Sequence, residues 1–221
     1  MTLLVKICGL STPEALDVAL AAGADLVGCI FFPASPRNVS LDQARALGSR
    51  VQGRARKVAV TVDADDTLLA SMIEALKPDM LQLHGHETPQ RVAAVRESFG
   101  LPVMKVLPIE SMADLLPVGS YTGVADRLLF DARPPREATR PGGLGQPFDW
   151  HLLENLNLSI PYLLSGGLNP DNVAEALRIT RAPGVDVVSG VESAPGVKDF
   201  DKIRAFIRAA RASHAAGTAV G

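Results

Sequence analysis

Short β-rich runs alternate with helical segments eight times along the 221 residues, and this alternation restricts the fold more than any other feature. The strand candidates are residues 3–7, 26–31, 57–61, 80–83, 103–106, 127–130, 162–165 and 185–188. The segments between them carry helix-start chemistry. Ser11-Thr12-Pro13-Glu14 offers a capping box with proline in the first turn, and Ser40 with Gln43 repeats the box. Leu68, Leu69, Met72, Ile73 and Leu76 form a stripe at helical spacing. Thr88-Pro89 and Asn169-Pro170 start two further helices, and Ile203, Phe206, Ile207 and Ala210 give the last one a buried face. Strict alternation implies parallel pairing through right-handed crossovers. A barrel of eight such units needs about 200 to 250 residues. The expected fold is therefore α/β, a single-domain (β/α)8 TIM barrel over residues 1–221. A doubly wound open sheet is the alternative, but it gives the two late glycine turns no common seat.

The weakest helical segments are the fifth and sixth. Residues 107–126 contain Pro108, Pro117 and Gly119, so any helix there is short. Residues 133–148 are dense in Pro, Gly and Arg and read as an active-site lid. Residues 213–221 are expected to fray. A hydrophobic content of 47% suits a chain with a substantial core. Net charge −2 and pI near 6.1 give no reason to expect nucleic acid or an anionic membrane as partner. No apolar run is long enough to span a bilayer, and no secretory signal is expected. Cys8 and Cys29, without CxxC spacing, fit reduced thiols in the cytoplasm.

In such barrels the chemistry collects at the C-terminal ends of the strands. Those ends are Cys8, the stretch from Phe32 to Arg37, Asp63, His84, Lys105, Asp131, Ser165-Gly166-Gly167 and Ser189-Gly190. Lys6 and Cys8 share one face of their strand, Val5 and Ile7 the other. Glycines at 166, 167 and 190 let backbone N–H groups approach an anion, and the loops after strands seven and eight are the usual phosphate seat of this fold. The plain alternative is two tight turns that merely need glycine. Barrel closure sets Cys8 and Asp131 on either side of that seat, a thiol and a carboxyl suited to general acid–base catalysis. An ion pair with Arg133 is the structural alternative for Asp131.

Pro33 and Pro36 stiffen the loop that carries Arg37, whose fork could clamp a carboxylate; otherwise it is a solvated surface arginine. His84-Gly85-His86 could suggest a metal, but no further ligand set accompanies it, and neither metal nor cofactor is expected. Lys6 and Lys105, read as inward lysines, are candidates for Schiff-base chemistry or for neutralising a buried carboxylate.

Taken together these stretches resemble the phosphoribosylanthranilate isomerase family of tryptophan biosynthesis. The matching pieces are Lys6-Ile7-Cys8-Gly9, Phe32 to Arg37, Gln82-Leu83-His84-Gly85, Leu129-Phe130-Asp131, Gly142-Gly143-Leu144-Gly145 with Phe148-Asp149-Trp150, Ser165-Gly166-Gly167-Leu168-Asn169, and Asp186 to Glu192. They run in family order over nearly the whole chain. The resemblance implies an Amadori rearrangement of N-(5-phosphoribosyl)anthranilate, with Asp131 as general acid and Cys8 as general base. It implies Arg37 on the anthranilate carboxylate, Gly166, Gly167, Ser189 and Gly190 at the phosphate, and His84 and Gly143 among the substrate-binding residues. It implies no cofactor, a small phosphorylated substrate, a cytoplasmic monomer or homodimer, and closure of the 133–148 loop. Leu144 departs from the small residue more usual in that loop. Competing expectations are an imine-forming phosphosugar aldolase using Lys105 or Lys6, and a non-catalytic barrel that binds a phosphorylated metabolite.

Overall fold

The computed structural model describes residues 2–135, 137–138, 141–143 and 147–218. Eight parallel strands form a closed barrel in sequence order: β1 (Leu4–Cys8), β2 (Leu26–Phe31), β3 (Arg56–Thr61), β4 (Met80–Leu83), β5 (Val103–Ile109), β6 (Arg127–Ala132), β7 (Tyr162–Leu164) and β8 (Gly184–Val187). β8 pairs with β1, which sets Lys6 opposite Asp186 and closes the ring. The crossovers carry α1 (Pro13–Ala21), α2 (Leu41–Val51), α3 (Asp66–Leu76), α4 (Pro89–Phe99), α5 (Val118–Tyr121), α6 (Val173–Thr180) and α7 (Phe200–Thr218).

Strand parity divides the apolar residues into two shells. Cys8, Leu26, Val58, Val60, Met80, Met104, Val106, Leu129 and Leu163 fill the barrel interior. Val5, Ile7, Val27, Phe31, Leu81, Leu83, Val103 and Leu107 face the helices as part of the larger core. Local chemistry sets the helix starts. Thr12 Oγ1 accepts the Ala15 N–H ahead of Pro13, and Ser40 with Gln43 makes the full reciprocal box. Asp65 and Thr88 cap α3 and α4. On α3 the expected stripe buries Leu69, Met72 and Leu76, whereas Leu68 is exposed.

Two expectations need correction. The first box is not a box, because Thr12 rather than Ser11 caps α1. The helix expected from Asn169-Pro170 starts later, at Val173; Asn169 instead accepts the N–H groups of Asp171 and Asn172, an Asx turn. Between β6 and β7 there is no α-helix among the described residues, only the 3-10 turn Trp150–Leu153, as the proline and glycine density there would favour. After β8 the chain makes an unanticipated antiparallel hairpin, β9 (Glu192–Ala194) with β10 (Val197–Lys198). Helix α7 runs to Thr218, and positions 219–221 of the tail expected to fray lie outside the described residues.

Candidate active site

Cys8 ends β1 on the inner face of the barrel and is 2% exposed. It pairs with Gly28 on β2, and a Cβ at position 28 would sit 2.7 Å from the Cys8 Sγ, so the glycine makes room for the thiol. One turn of the pleat below, the Lys6 Nζ donates to Asp186 Oδ1 at 2.7 Å, and Ser165 Oγ donates to Asp186 Oδ2 at 3.1 Å. Burial pushes the Cys8 thiol above its ordinary range; Asp186 adds to that, while Lys6, by charge and hydrogen bond, and then Lys198 pull it down. The Lys6 ammonium is strongly held in its charged form, Asp186 and Cys8 outweighing the burial that opposes them.

Asp131 stands near the end of β6. Its Oδ1 accepts the Ala132 N–H at 2.9 Å, and its Oδ2 lies 3.4 Å from His84 Nε2. Arg133 does not pair with it, binding Asp114 and Glu110 instead, so the structural alternative for Asp131 fails. Gly142 crosses directly above the pair: a Cβ there would sit 2.5 Å from Asp131 Oδ2 and 2.9 Å from His84 Cε1. Gly143 crosses Arg37 in the same way, its carbonyl accepting from Arg37 Nη2 at 3.3 Å. Leu144 lies outside the described residues, as do positions 136, 139, 140, 145 and 146 of the expected lid.

Arg37 is not a solvated surface residue; it is 2% exposed. Its Nε and Nη2 donate in a fork to the two oxygens of Glu192, at 2.7 and 2.8 Å. Glu192 also accepts from Lys198 Nζ at 2.9 Å, and Lys198 donates to the Val188 carbonyl at 2.7 Å. Burial works against the Glu192 carboxylate, but Arg37 and Lys198 hold it below the usual range. Glu192 entered the sequence reading only as the end of a motif, and Lys198 not at all. The cue available was a buried-cation pattern too remote in sequence to see: Arg37 and Glu192 are 155 positions apart.

The ends of β6, β7 and β8 enclose a cleft with about 420 Å³ of empty space open to solvent. Its lining includes Asp131, Gly142, Gly143, Gly166, Gly167, Ser189 and Gly190; Cys8, Arg37 and His84 are not part of it. Gly166 and Gly167 both take positive φ, +81° and +67°, which turns the chain sharply after β7. Gly190 is there for contact: a Cβ would sit 1.8 Å from the Leu168 carbonyl oxygen, so the loops after β7 and β8 touch through this glycine. Among the described residues neither the Gly166 nor the Gly167 N–H has a protein acceptor, which leaves both for a ligand.

Two lysine and histidine readings change. Lys105 shares its strand face with Val103 and Leu107, which belong to the outer shell, so it points away from the barrel interior. Its Nζ donates to Glu87 Oε2 and the Gly85 carbonyl, both at 2.7 Å, while Glu87 accepts the N–H groups of Asp63 and Gly85. This lock fixes the turn that follows His84 and removes Lys105 from Schiff-base chemistry. His86 turns outward to Asp63, whose Oδ2 is 2.9 Å from its Nδ1, so the two histidines serve separate partners. Among the described residues no group of three or more His, Cys, Asp or Glu could hold a metal ion.

Fold and site together define a (β/α)8-barrel enzyme with its ionisable groups gathered at the strand ends beside a glycine-walled cleft. A family model described as N-(5'phosphoribosyl)anthranilate (PRA) isomerase matches residues 5–209. The N-(5'-phosphoribosyl)anthranilate isomerases of Bradyrhizobium diazoefficiens and of Rhodopseudomonas palustris (strain BisB18) are 65% and 67% identical over 213 residues, spanning 96% of this chain and 96% and 98% of theirs. The chain belongs to this isomerase family. The crystal structure of phosphoribosyl anthranilate isomerase from Thermotoga maritima superposes with a TM-score of 0.86 at 32% identity, covering 96% of this chain and 100% of that one. A second crystal structure, at TM-score 0.81 and 29% identity over 96% of this chain and 100% of its own, is a complex of such an isomerase with reduced 1-(o-carboxyphenylamino)-1-deoxyribulose 5-phosphate. Among the described residues no helix is long and apolar enough to cross a membrane.

Proposed function

We propose that the chain converts N-(5-phosphoribosyl)anthranilate to 1-(2-carboxyphenylamino)-1-deoxyribulose 5-phosphate in tryptophan biosynthesis, by an acid–base Amadori rearrangement. The observation that carries this is the family match across residues 5–209. The phosphate sits on the N–H groups around Gly166 and Gly167 and the Ser189-Gly190 turn, which places the ribose between Asp131 and Cys8. Asp131, as the general acid, gives a proton to the furanose ring oxygen; the C1′–O bond breaks and the anthranilate nitrogen lone pair forms the C1′=N⁺ iminium. The adjacent iminium acidifies C2′, and the Cys8 thiolate removes that proton. The C2′–H electrons form C1′=C2′, and the C=N⁺ π electrons return to nitrogen. The resulting enolamine tautomerises, a proton adding at C1′ and the C2′ hydroxyl proton leaving, to give the ketone. C2′ is oxidised to the ketone as C1′ is reduced to the methylene, so the electrons balance within the substrate and the sequence needs no external oxidant, reductant or cofactor.

Arg37 faces the anthranilate carboxylate through the edge that Glu192 leaves, and His84 and Gly143 border the same space. Closure of residues 133–148 excludes water from the iminium. The protein works in the cytoplasm as a monomer or homodimer; the Thermotoga maritima isomerase is described as dimeric, with monomers generated from it. The test is a fluorescence assay that follows loss of phosphoribosylanthranilate with the purified chain, with the ketose product identified at the end. Turnover to that product is expected; consumption with a lysine adduct trapped by borohydride, or no consumption, overturns the reading.

A further inference from the structure

Among the hydrogen-bonded buried charges around Cys8 the cations outnumber the carboxylates; Asp131, also buried, is engaged by the Ala132 N–H and His84 instead. Lys6, Arg37 and Lys198 are cations with at most 9% exposure, and only Asp186 and Glu192 answer them as buried carboxylates in hydrogen-bonded contact. Lys6 with Asp186 makes one closed pair across β1 and β8. Glu192 must serve two cations at once, Arg37 by its fork and Lys198 at 2.9 Å. An unanswered charge in a dry site is expensive and persists where something else completes it. Lys6 shares the Cys8 face of β1, Asp186 reaches across from β8, and Lys198 on β10 is tied to the carbonyl of Val188, which packs against the inner cluster that holds Cys8; Glu192 and Arg37 lie behind Lys198, and Cys29 on β2 faces the outer shell. Cys29 is itself a neutral buried thiol, its pKa pushed by burial up to about 12, so it contributes no charge.

We propose that Lys198, carried by the β9–β10 hairpin and anchored by Glu192 and the Val188 carbonyl, is a positioning residue whose buried ammonium leaves this pocket one positive charge in excess and so favours the Cys8 thiolate. Geometry supports this beyond the charge count. The Lys198 ammonium has two fixed acceptors, which hold it beside the barrel mouth instead of in solvent. Glu192 ties that ammonium to Arg37, so the residue that would orient the anthranilate carboxylate and the residue that would stabilise the base share one carboxylate. Burial leaves the Lys198 ammonium below its ordinary range, with Arg37 adding to that, and Glu192 and Cys8 restore only part of it. The inference rests on the reading of Cys8 as general base, but its direct readout does not need turnover.

The experiment titrates the Cys8 thiolate by its ultraviolet absorbance, as the difference from Cys8→Ser, in the parent, Lys198→Met, Lys198→Arg and Glu192→Gln proteins. Lys198→Met is expected to move the Cys8 transition to higher pH and Glu192→Gln to lower pH, with Lys198→Arg close to the parent. The acid limb of the kcat/KM profile moves the same way, and Lys198→Met loses about tenfold near neutral pH. Structural damage alone would lower kcat/KM at every pH and would not shift the two variants in opposite directions. A Cys8 transition unmoved by Lys198→Met, in a protein with parental circular dichroism, overturns the proposal. Its overturn is distinct from failure of the base assignment, which a fully active Cys8→Ala would show. If Lys198→Met does not fold, the Glu192→Gln shift decides alone: no displacement, or displacement to higher pH, overturns it.

Discussion

Cysteine chemistry here divides between two buried thiols on adjacent strands. Cys8 has Lys6 as a hydrogen-bonding cation; Cys29 faces the outer shell, where burial first and then Cys8 raise its pKa to about 12 from an ordinary 9.0 against a small opposing pull from Lys6. A thiol whose pKa is raised by folding lends stability that is present below its unfolded value and lost as pH rises toward the folded one, because the unfolded chain sheds the proton first. Stability is therefore expected to fall between pH 9.0 and about 12, and Cys29→Ala to flatten part of that slope. Denaturant midpoints measured across this window check it; parallel slopes for parent and variant would contradict it. The Cys8 side chain was legible in sequence because strand parity alone puts residues 6 and 8 on one face. Gly28 was not, since only the β1–β2 register reveals that a side chain there would strike the sulfur.

At the scale of elements, loops rather than strands decide the site. The turn after β4 is held by Lys105, Glu87 and the N–H groups of Asp63 and Gly85, and it aims His84 at Asp131. Removing one partner of a buried pair leaves the other uncompensated, so Lys105→Met is expected to lower unfolding stability by about 3–5 kcal/mol. Lys105→Met with Glu87→Gln should recover part of this, which a denaturation series of both variants measures. A change below about 1 kcal/mol for the single variant would show that the lock is relieved by water. Strand positions were legible because eight apolar runs sit between capped helices. The orientation of Lys105 was misjudged because β5 runs on to Ile109, and its parity follows from the neighbours Val103 and Leu107. The β9–β10 hairpin, with only three and two residues in its strands, is too short to leave a periodic signal.

For the whole molecule, closure of the barrel brings residues from both ends of the chain to one mouth. Lys6 meets Asp186 180 positions away, and Arg37 meets Glu192. The closed barrel followed from counting units, whereas the pairings across it needed coordinates. If the loops after β7 and β8 form the anion seat, inorganic phosphate should bind the folded state and raise its melting temperature with concentration. At a hundredfold excess over Kd the gain is about 2.7 kcal/mol. Gly190→Ala drives a methyl into the Leu168 carbonyl, and should abolish this increment while lowering the unliganded melting temperature. A parental phosphate response in that variant would move the anion elsewhere.

The assignment of acid and base stands or falls on kcat/KM for phosphoribosylanthranilate in the parent, Cys8→Ala and Asp131→Asn proteins, all at one pH and with folding verified. Each substitution is expected to reduce kcat/KM by at least about a hundredfold, the scale of a positioned proton donor or acceptor. Turnover within a few-fold of the parent in either variant would remove that residue from the chemistry.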